Sequence, residues 1–428
     1  MKNAPSGPPR MIVLSADGMR PDLYRRPEEF GLKVSNLRQL VEAGASADAV
    51  ESIYPTTTYP AHATLVTGVP PRGHGIYSHL ASLDPTAKAR PWHWFARAIR
   101  VPALWDVAQA GGRKVAAVGW PVSAGARIDF NIPEIWDAAA PDPHRDFQTA
   151  ARYSTPGLFE EVLKILRLSL PSASPDELRA RAALHIWVRH RPDLLFVHFV
   201  HYDQTAHHFG PLSKQALRAL EKMDEEIGRL RDQVSEEAPV DWIVLSDHGF
   251  LPVEKEVAPL VSLDAEGLFG RNADGSICLK RLGAVHAGGS FALYWLEEPT
   301  ADGRRSLDRA VRQLRDTGAI AHVVDRARLE SLESDPDAEL MLDAAPGYYF
   351  SDRFDGPVIR ETVKDRGTHG HLPSRPGLEA SFIAVGNGIA PGKKLGRISL
   401  TQIAPTLARQ LGLSPDVLAS KAPALDLG

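Results

Sequence analysis

Apolar residues fall in two kinds of run along this chain. Met11–Ala16 is short, continuous and ends at Asp17-Gly18; similar runs are Val115–Val118, Leu194–Val200, Trp242–Leu245 and Ser381–Val385. Unbroken apolar runs of this length are the mark of strands covered on both faces, as in a parallel sheet. Between them, apolar residues recur every three or four positions over Val34–Ala43, Ala103–Ala110, Leu158–Leu168, Pro175–Val188, Lys214–Val234 and Leu400–Leu411, which predicts helices. Strands alternating with helices predict an α/β fold: a doubly wound, mostly parallel sheet with helices on both faces.

The rhythm breaks between about Pro252 and Asp365. Here a Gly- and Asp-rich loop is followed by a strand (Ser290–Leu296), a helix (Ser306–Thr317) and another strand (Ala319–Val324). We expect one catalytic domain over residues 1–428, with residues 252–365 forming a smaller α+β insertion within it.

Composition narrows the chemistry. With 428 residues and a net charge of −4, the chain lacks the basic footprint of a protein that coats nucleic acid, so no stable nucleic-acid partner is expected. A single cysteine, Cys278, excludes an internal disulfide framework and a thiolate metal cluster. A metal site must then be built from histidine and carboxylate, a donor set for hard or borderline cations. No apolar run approaches membrane-spanning length, so no membrane association is expected. The chain as it stands reads as cytoplasmic, or as periplasmic or secreted if a leader has been removed. Nothing in the sequence sets an oligomeric state.

In doubly wound sheets ligands collect at the carboxyl ends of the strands, so the polar residues there are the first candidates. Asp17 follows the first run. Asp203-Gln204-Thr205-Ala206-His207 follows Leu194–Val200, with a four-residue spacing that puts Asp203 and His207 on one face of a helix. Asp247-His248-Gly249 follows Trp242–Leu245. Such mixtures bind zinc, and two neighbouring cations can clamp the attacking and leaving oxygens of a phosphoryl transfer. Upstream, Tyr54-Pro55-Thr56-Thr57-Thr58-Tyr59-Pro60 leads into a helical run that ends at Thr67, before Gly68, and the start of such a helix favours an anion. At least one of the three threonines is expected to cap that helix; a catalytic one would need metal coordination to become a nucleophile.

Taken in order, these segments resemble the nucleotide pyrophosphatase/phosphodiesterase family of the alkaline phosphatase superfamily. The resemblance runs through Asp17-Gly18, the P-T-x-T-[FY]-P signature at Pro55–Pro60, Thr67-Gly68, His74-Gly75-Ile76, Trp120-Pro121, Asp203–Pro211, Asp247-His248-Gly249 and Thr368-His369-Gly370. It implies an alkaline phosphatase-like fold and a nucleotide phosphodiesterase or pyrophosphatase with Thr58 as nucleophile and metal ligand. It further implies two divalent cations, zinc first and manganese or another divalent ion as the alternative. One would be held by Asp17, Thr58, Asp247 and His248, and the other by Asp203, His207 and His369, with a covalent phospho-threonine intermediate. His371 competes with His369 for the last ligand position.

The implied partner is a small phosphoester, a nucleotide above all. Tyr59 stands where the family stacks an aromatic on the base, and Trp136 lies near a second aromatic of that pocket. The chain departs from the pattern at Ala61, where asparagine is usual, and at Tyr77-Ser78-His79, where a phosphate-binding asparagine is either missing or replaced by His79. A phosphomonoesterase, phosphonoacetate hydrolase or sulfatase-like relative shares the same metals, and a non-catalytic nucleotide-binding relative is the remote alternative.

Overall fold

The computed structural model describes residues 9–140, 147–166, 173–235 and 239–428. The strands used below, in chain order, are β1 (Met11–Ala16), β2 (Ala45–Ser46), β3 (Val115–Val118), β4 (Phe130–Ile132), β5 (Leu194–Phe199), β6 (Asp241–Leu245), β7 (Leu251–Val257), β8 (Leu282–Ala287), β9 (Ser290–Trp295), β10 (Ile320–Asp325), β11 (Leu340–Ala344), β12 (Gly347–Phe350), β13 (Ile359–Glu361), β14 (Gly367–Thr368), β15 (Phe382–Val385) and β16 (Lys393–Lys394). The helices used below are α1 (Ser35–Ala43), α2 (Thr58–Thr67), α3 (Leu104–Ala110), α4 (Leu158–Leu166), α5 (Pro175–His190), α6 (His201–Phe209), α7 (Lys214–Ser235), α8 (Ala301–Asp316) and α9 (Ile403–Gln410).

The main sheet runs β16-β2-β15-β6-β1-β5-β3-β4. From β6 to β4 neighbouring strands are parallel, and β15 pairs antiparallel with β6. Alternation along β1 explains why both faces need cover. Met11 and Val13 join one core with α2, α3 and α9, while Ile12, Leu14 and Ala16 join another with α1, α4, α5 and α7. This is the doubly wound α/β arrangement that the runs predict. The last two positions of the predicted helix Leu158–Leu168 lie outside the described residues.

Between β6 and β15 the chain builds a two-stranded ribbon, Gly270–Arg271 with Ile277–Cys278, and two larger sheets. One is antiparallel, β8-β9-β11-β10, with α8 closing a core around Phe291, Leu293 and Leu314. The other centres on β7, which pairs with β12, β13 and β14. The sequence pattern shows only β9, α8 and β10 of this region. Strands such as β7 (Leu-Pro-Val-Glu-Lys-Glu-Val) mix exposed charge with buried positions and give no apolar run to find. Among the described residues, no helix is long and apolar enough to cross a membrane.

Candidate metal centre and active site

Three strand ends meet at one place. Asp17 directly follows β1, Asp203 lies in the first turn of α6 after β5, and Asp247-His248 follows β6. The chain leaves β14 to bring His369 beside them, through Gly370 at φ 96°. A Cβ on Gly370 would lie 1.7 Å from the Ala287 carbonyl oxygen, so only glycine permits this close approach.

Two sets of ligand-type atoms converge: Asp17, Asp247 and His248 in one, and Asp203, His207 and His369 in the other. Within each set the atoms lie within 4.8 Å of one another. The tautomers follow from the backbone. Nδ1 of His207 donates to the Gly367 carbonyl at 3.0 Å, Nδ1 of His369 to Thr56 at 2.9 Å, and Nδ1 of His248 to Gly249 at 3.0 Å. With each Nδ1 carrying the proton, each Nε2 presents a lone pair. Nε2 of His207 then faces Nε2 of His369 at 3.2 Å and Asp203 Oδ2 at 3.3 Å; Nε2 of His248 faces Asp247 Oδ2 at 3.1 Å and Asp17 Oδ1 at 3.4 Å. Acceptors facing acceptors repel unless a proton or a cation sits between them.

The same strain shows in the carboxylates. Burial, then the charges of Asp247 and Asp203, push the Asp17 carboxyl well above its ordinary range; burial also raises Asp203. Asp247 is held low: burial opposes ionisation, and His248 and His62 overcome it. Asp17 Oδ1 and Asp247 Oδ2 are buried without a hydrogen-bond partner. Burial, then His248 and His207, keep His369 neutral by lowering its pKa far below the usual imidazole value. Orphaned carboxylate oxygens opposite unprotonated imidazole nitrogens are what a pair of divalent cations would satisfy, so the residues fit such ions.

Thr58 is the first residue of α2 and is half-buried, with Oγ1 3.3 Å from His248 Nε2. Its carbonyl accepts from His62 Nδ1 at 2.8 Å, and Ser15 Oγ lies 2.9 Å from the other nitrogen of that ring. The expected capping threonine is not there: Thr57 occupies the cap position without a side-chain cap bond. Thr56 Oγ1 instead donates to the His371 carbonyl at 3.0 Å and accepts from the Gly370 N–H at 2.9 Å, tying the α2 entrance to the His369 turn. His371 is buried and belongs to neither ligand set.

The substrate-pocket candidates divide. Tyr59 is completely buried, its ring edge-on to Trp92 at 5.2 Å and its hydroxyl donating to Glu134 at 3.2 Å, so it offers no open face for stacking. Trp136 and His79 are half-buried and both contact Trp92, at 4.8 Å each between ring centroids. Burial, then His286 and Arg90, lower the His79 pKa well below the usual imidazole value.

Several contributors escaped the sequence pattern. His198, inside β5, joins Asp17 Oδ2 at 2.9 Å to Glu134 Oε2 at 3.1 Å, and Arg179 from α5 donates to the same Glu134 oxygen at 3.0 Å. Burial works against charge on His198, but Glu134 and Asp17 raise it to about 10; His198 and Arg179 in turn hold Glu134 at about 2 despite its burial. Phe250 lies edge-on to His207 at 4.8 Å and to His369 at 5.3 Å, fixing two rings. For His198 the sequence offers two readings, a residue supporting the ligands or a merely buried, hydrogen-bonded group, and names no partner. His208 is exposed and lies outside both sets.

An eight-stranded doubly wound sheet with paired ligand sets at its strand ends belongs to the alkaline phosphatase-like class of α/β proteins. Residues 11–372 match the family model for type I phosphodiesterase/nucleotide pyrophosphatase, and the chain belongs to that family. It is similar to the bovine ectonucleotide pyrophosphatase/phosphodiesterase family member 3, 26% identical over 254 residues that cover 56% of this chain and 25% of that protein. It is also similar to venom phosphodiesterase 2 of Crotalus adamanteus, 28% identical over 251 residues, covering 56% and 26%. The chain thus spans about a quarter of the length of these relatives. Its fold is shared with murine ectonucleotide pyrophosphatase/phosphodiesterase 5, solved as an inactive threonine-to-alanine variant with AMP. That match has a TM-score of 0.68 at 18% identity and covers 97% of each chain.

Proposed function

We propose that this chain is a metal-dependent hydrolase of phosphodiester or phosphoanhydride bonds in nucleotides, with Thr58 as nucleophile. The observation that carries the reading is Thr58 Oγ1 at a helix start, 3.3 Å from His248 Nε2 and beside two sets of mutually facing acceptors. The family and the relatives' names support the reaction class. The AMP complex of the structural neighbour supports a nucleotide substrate.

Asp17, Thr58, Asp247 and His248 would hold one divalent cation, and Asp203, His207 and His369 the other. Zinc suits this nitrogen and oxygen donor set, with manganese or another divalent ion as the alternative. When bound, the pair supplies positive charge that lowers the pKa of the Thr58 hydroxyl and neutralises the phosphoryl oxygens. The chain supplies the rest. Thr58 Oγ attacks phosphorus as the bond to the leaving oxygen breaks, forming a phospho-threonine that water then hydrolyses to free the hydroxyl. The N–H groups of Thr58 and Tyr59 have no carbonyl to meet within the helix and would be available to an anion at its start. His198 and Glu134 orient Asp17, and the carbonyls of Thr56, Gly249 and Gly367 fix the imidazole tautomers.

With Tyr59 buried, a base would meet the half-buried His79, Trp92 and Trp136 wall, with His79 in the place of the usual asparagine. We assign residues 1–428 to one catalytic domain with residues 252–365 as an insertion, acting on a small phosphoester without a stable nucleic-acid partner. The test compares zinc-loaded enzyme on bis-p-nitrophenyl phosphate, p-nitrophenyl phosphate and dinucleotides. Diester turnover well above monoester turnover supports the reading; faster monoester turnover would replace it with a phosphomonoesterase.

A further inference from the structure

A third group of ligand-type side chains lies outside the strand-end site. Glu161 comes from α4, and His185 and His190 from α5. Both imidazoles aim Nε2 at one oxygen, Glu161 Oε1, at 2.6 Å from His185 and 3.1 Å from His190. The three ligand atoms lie within 4.8 Å of one another. The side chains of His185, His190 and Glu161 are 22%, 21% and 36% exposed, so an ion and a water can reach them while the helices still hold their directions. His190 is further fixed by stacking on Phe130, with centroids 4.3 Å apart and planes 26° apart.

A surface Glu–His pair contributes little to stability, and a second ring on the same oxygen adds little more. Convergence of two imidazoles and a carboxylate from two helices is better accounted for by a shared ligand. Zinc bonds of about 2.0–2.1 Å place tetrahedral donor atoms roughly 3.3 Å apart, so the two spacings from Glu161 to the imidazoles need only a slight widening. The hydrogen bond from His185 also keeps the Glu161 carboxyl below its ordinary pKa, in its ligating form.

We propose that Glu161, His185 and His190 form a separate site for a borderline divalent cation of the zinc class, with a fourth position open to water. The site staples α4 to α5, the helix that carries Arg179 to Glu134. It does not depend on the proposed reaction.

The test uses full-length protein stripped with chelator and re-equilibrated with zinc alone. Metal content is measured for wild type, Glu161→Gln and His185→Gln/His190→Gln, each also in an Asp17→Asn/Asp247→Asn background that weakens the strand-end site. Both surface variants should lose about one equivalent of zinc in either background. Zinc should slow amide hydrogen exchange in α4 of the wild type and not in the variants. Equal zinc content in wild type and His185→Gln/His190→Gln, or exchange in α4 that ignores zinc, would overturn the proposal. Glutamine keeps a polar group at each position; if the double variant fails to fold, His190→Gln alone carries the same comparison.

Discussion

Replacing Asp203 with asparagine should change protein stability in opposite directions with and without metal. Asp203 Oδ2 faces His207 Nε2 at 3.3 Å, and in the neutral ring that nitrogen holds the lone pair, because Nδ1 donates to Gly367. Without a cation, a buried carboxylate oxygen therefore meets the His207 lone pair, and that same nitrogen also faces His369 Nε2 at 3.2 Å. The asparagine amide supplies the missing N–H. The new hydrogen bond contributes about 1 kcal/mol, and loss of the buried charge brings the gain to roughly 1–3 kcal/mol. An unfolding entropy of about 2.1 cal/mol/K per residue makes each kcal/mol worth roughly 1 °C in a chain of this size. Metal-free Asp203→Asn should thus melt about 1–3 °C above metal-free wild type. With zinc at a hundredfold excess over Kd, wild type gains about 2.7 kcal/mol that the variant, short of a ligand, largely forgoes. Scanning calorimetry on chelated and zinc-reconstituted samples reads both signs. A metal-free variant that melts lower would refute the facing-acceptor argument, and an undiminished zinc response would remove Asp203 from the ligand set.

Thr58→Ala should fold and keep nearly normal zinc content while losing at least about a thousandfold in diester turnover, measured by single-turnover kinetics; near-normal activity under saturating zinc would exclude it as nucleophile. Gly370→Ala forces a Cβ to 1.7 Å from the Ala287 carbonyl and should cost about 3 kcal/mol or more in urea unfolding, displacing His369 and weakening zinc binding with it. Glu134→Gln removes the charge that holds protonated His198 against Asp17, and should lower kcat/KM about 10–100-fold with the melting temperature little changed. Burial lowers His74 to about 3. The folded state stays neutral where the unfolded chain takes a proton, so its stability contribution is present above the ordinary imidazole pKa and is lost as pH falls towards the folded value. Near pH 5 this amounts to about 2 kcal/mol, and His74→Gln should flatten the pH dependence of unfolding by that amount.

The fold was legible where burial is complete. β1 and β3 have the predicted bounds because every residue in them is buried, so nothing polar interrupts the run. β7 and β10 were harder because they alternate or face solvent, and the apolar pattern starts β10 a residue or so early. The same contrast governs the site. Asp17, Asp203, His207, Asp247 and His248 stand directly after apolar strands, where an ionisable residue is conspicuous against its neighbours. His369 follows a two-residue strand, and only its motif marked it.

What sequence position could not supply was direction. Tyr59 neighbours Thr58, yet on a helix adjacent residues point about 100° apart. With Thr58 turned to the metal ligands, Tyr59 is carried into the wall against Trp92 and Glu134. Glu134 and Arg179 are invisible for the opposite reason: they come from unrelated segments and meet at His198 only because β3, β4 and β5 are neighbours in the sheet. Ligands bound to a strand end inherit their position from the local chain, whereas the residues that orient them inherit theirs from the sheet order. The proposed base-facing wall of His79, Trp92 and Trp136 is of the second kind, so substrate choice should shift more readily than metal binding when those side chains change. Trp136→Ala, which leaves both ligand sets untouched, is therefore expected to raise KM for a dinucleotide about tenfold, the effect of losing one stacked base. Turnover of bis-p-nitrophenyl phosphate, which has no base, should stay near wild type; an equal loss on both substrates would place Trp136 in the framework and not in the pocket.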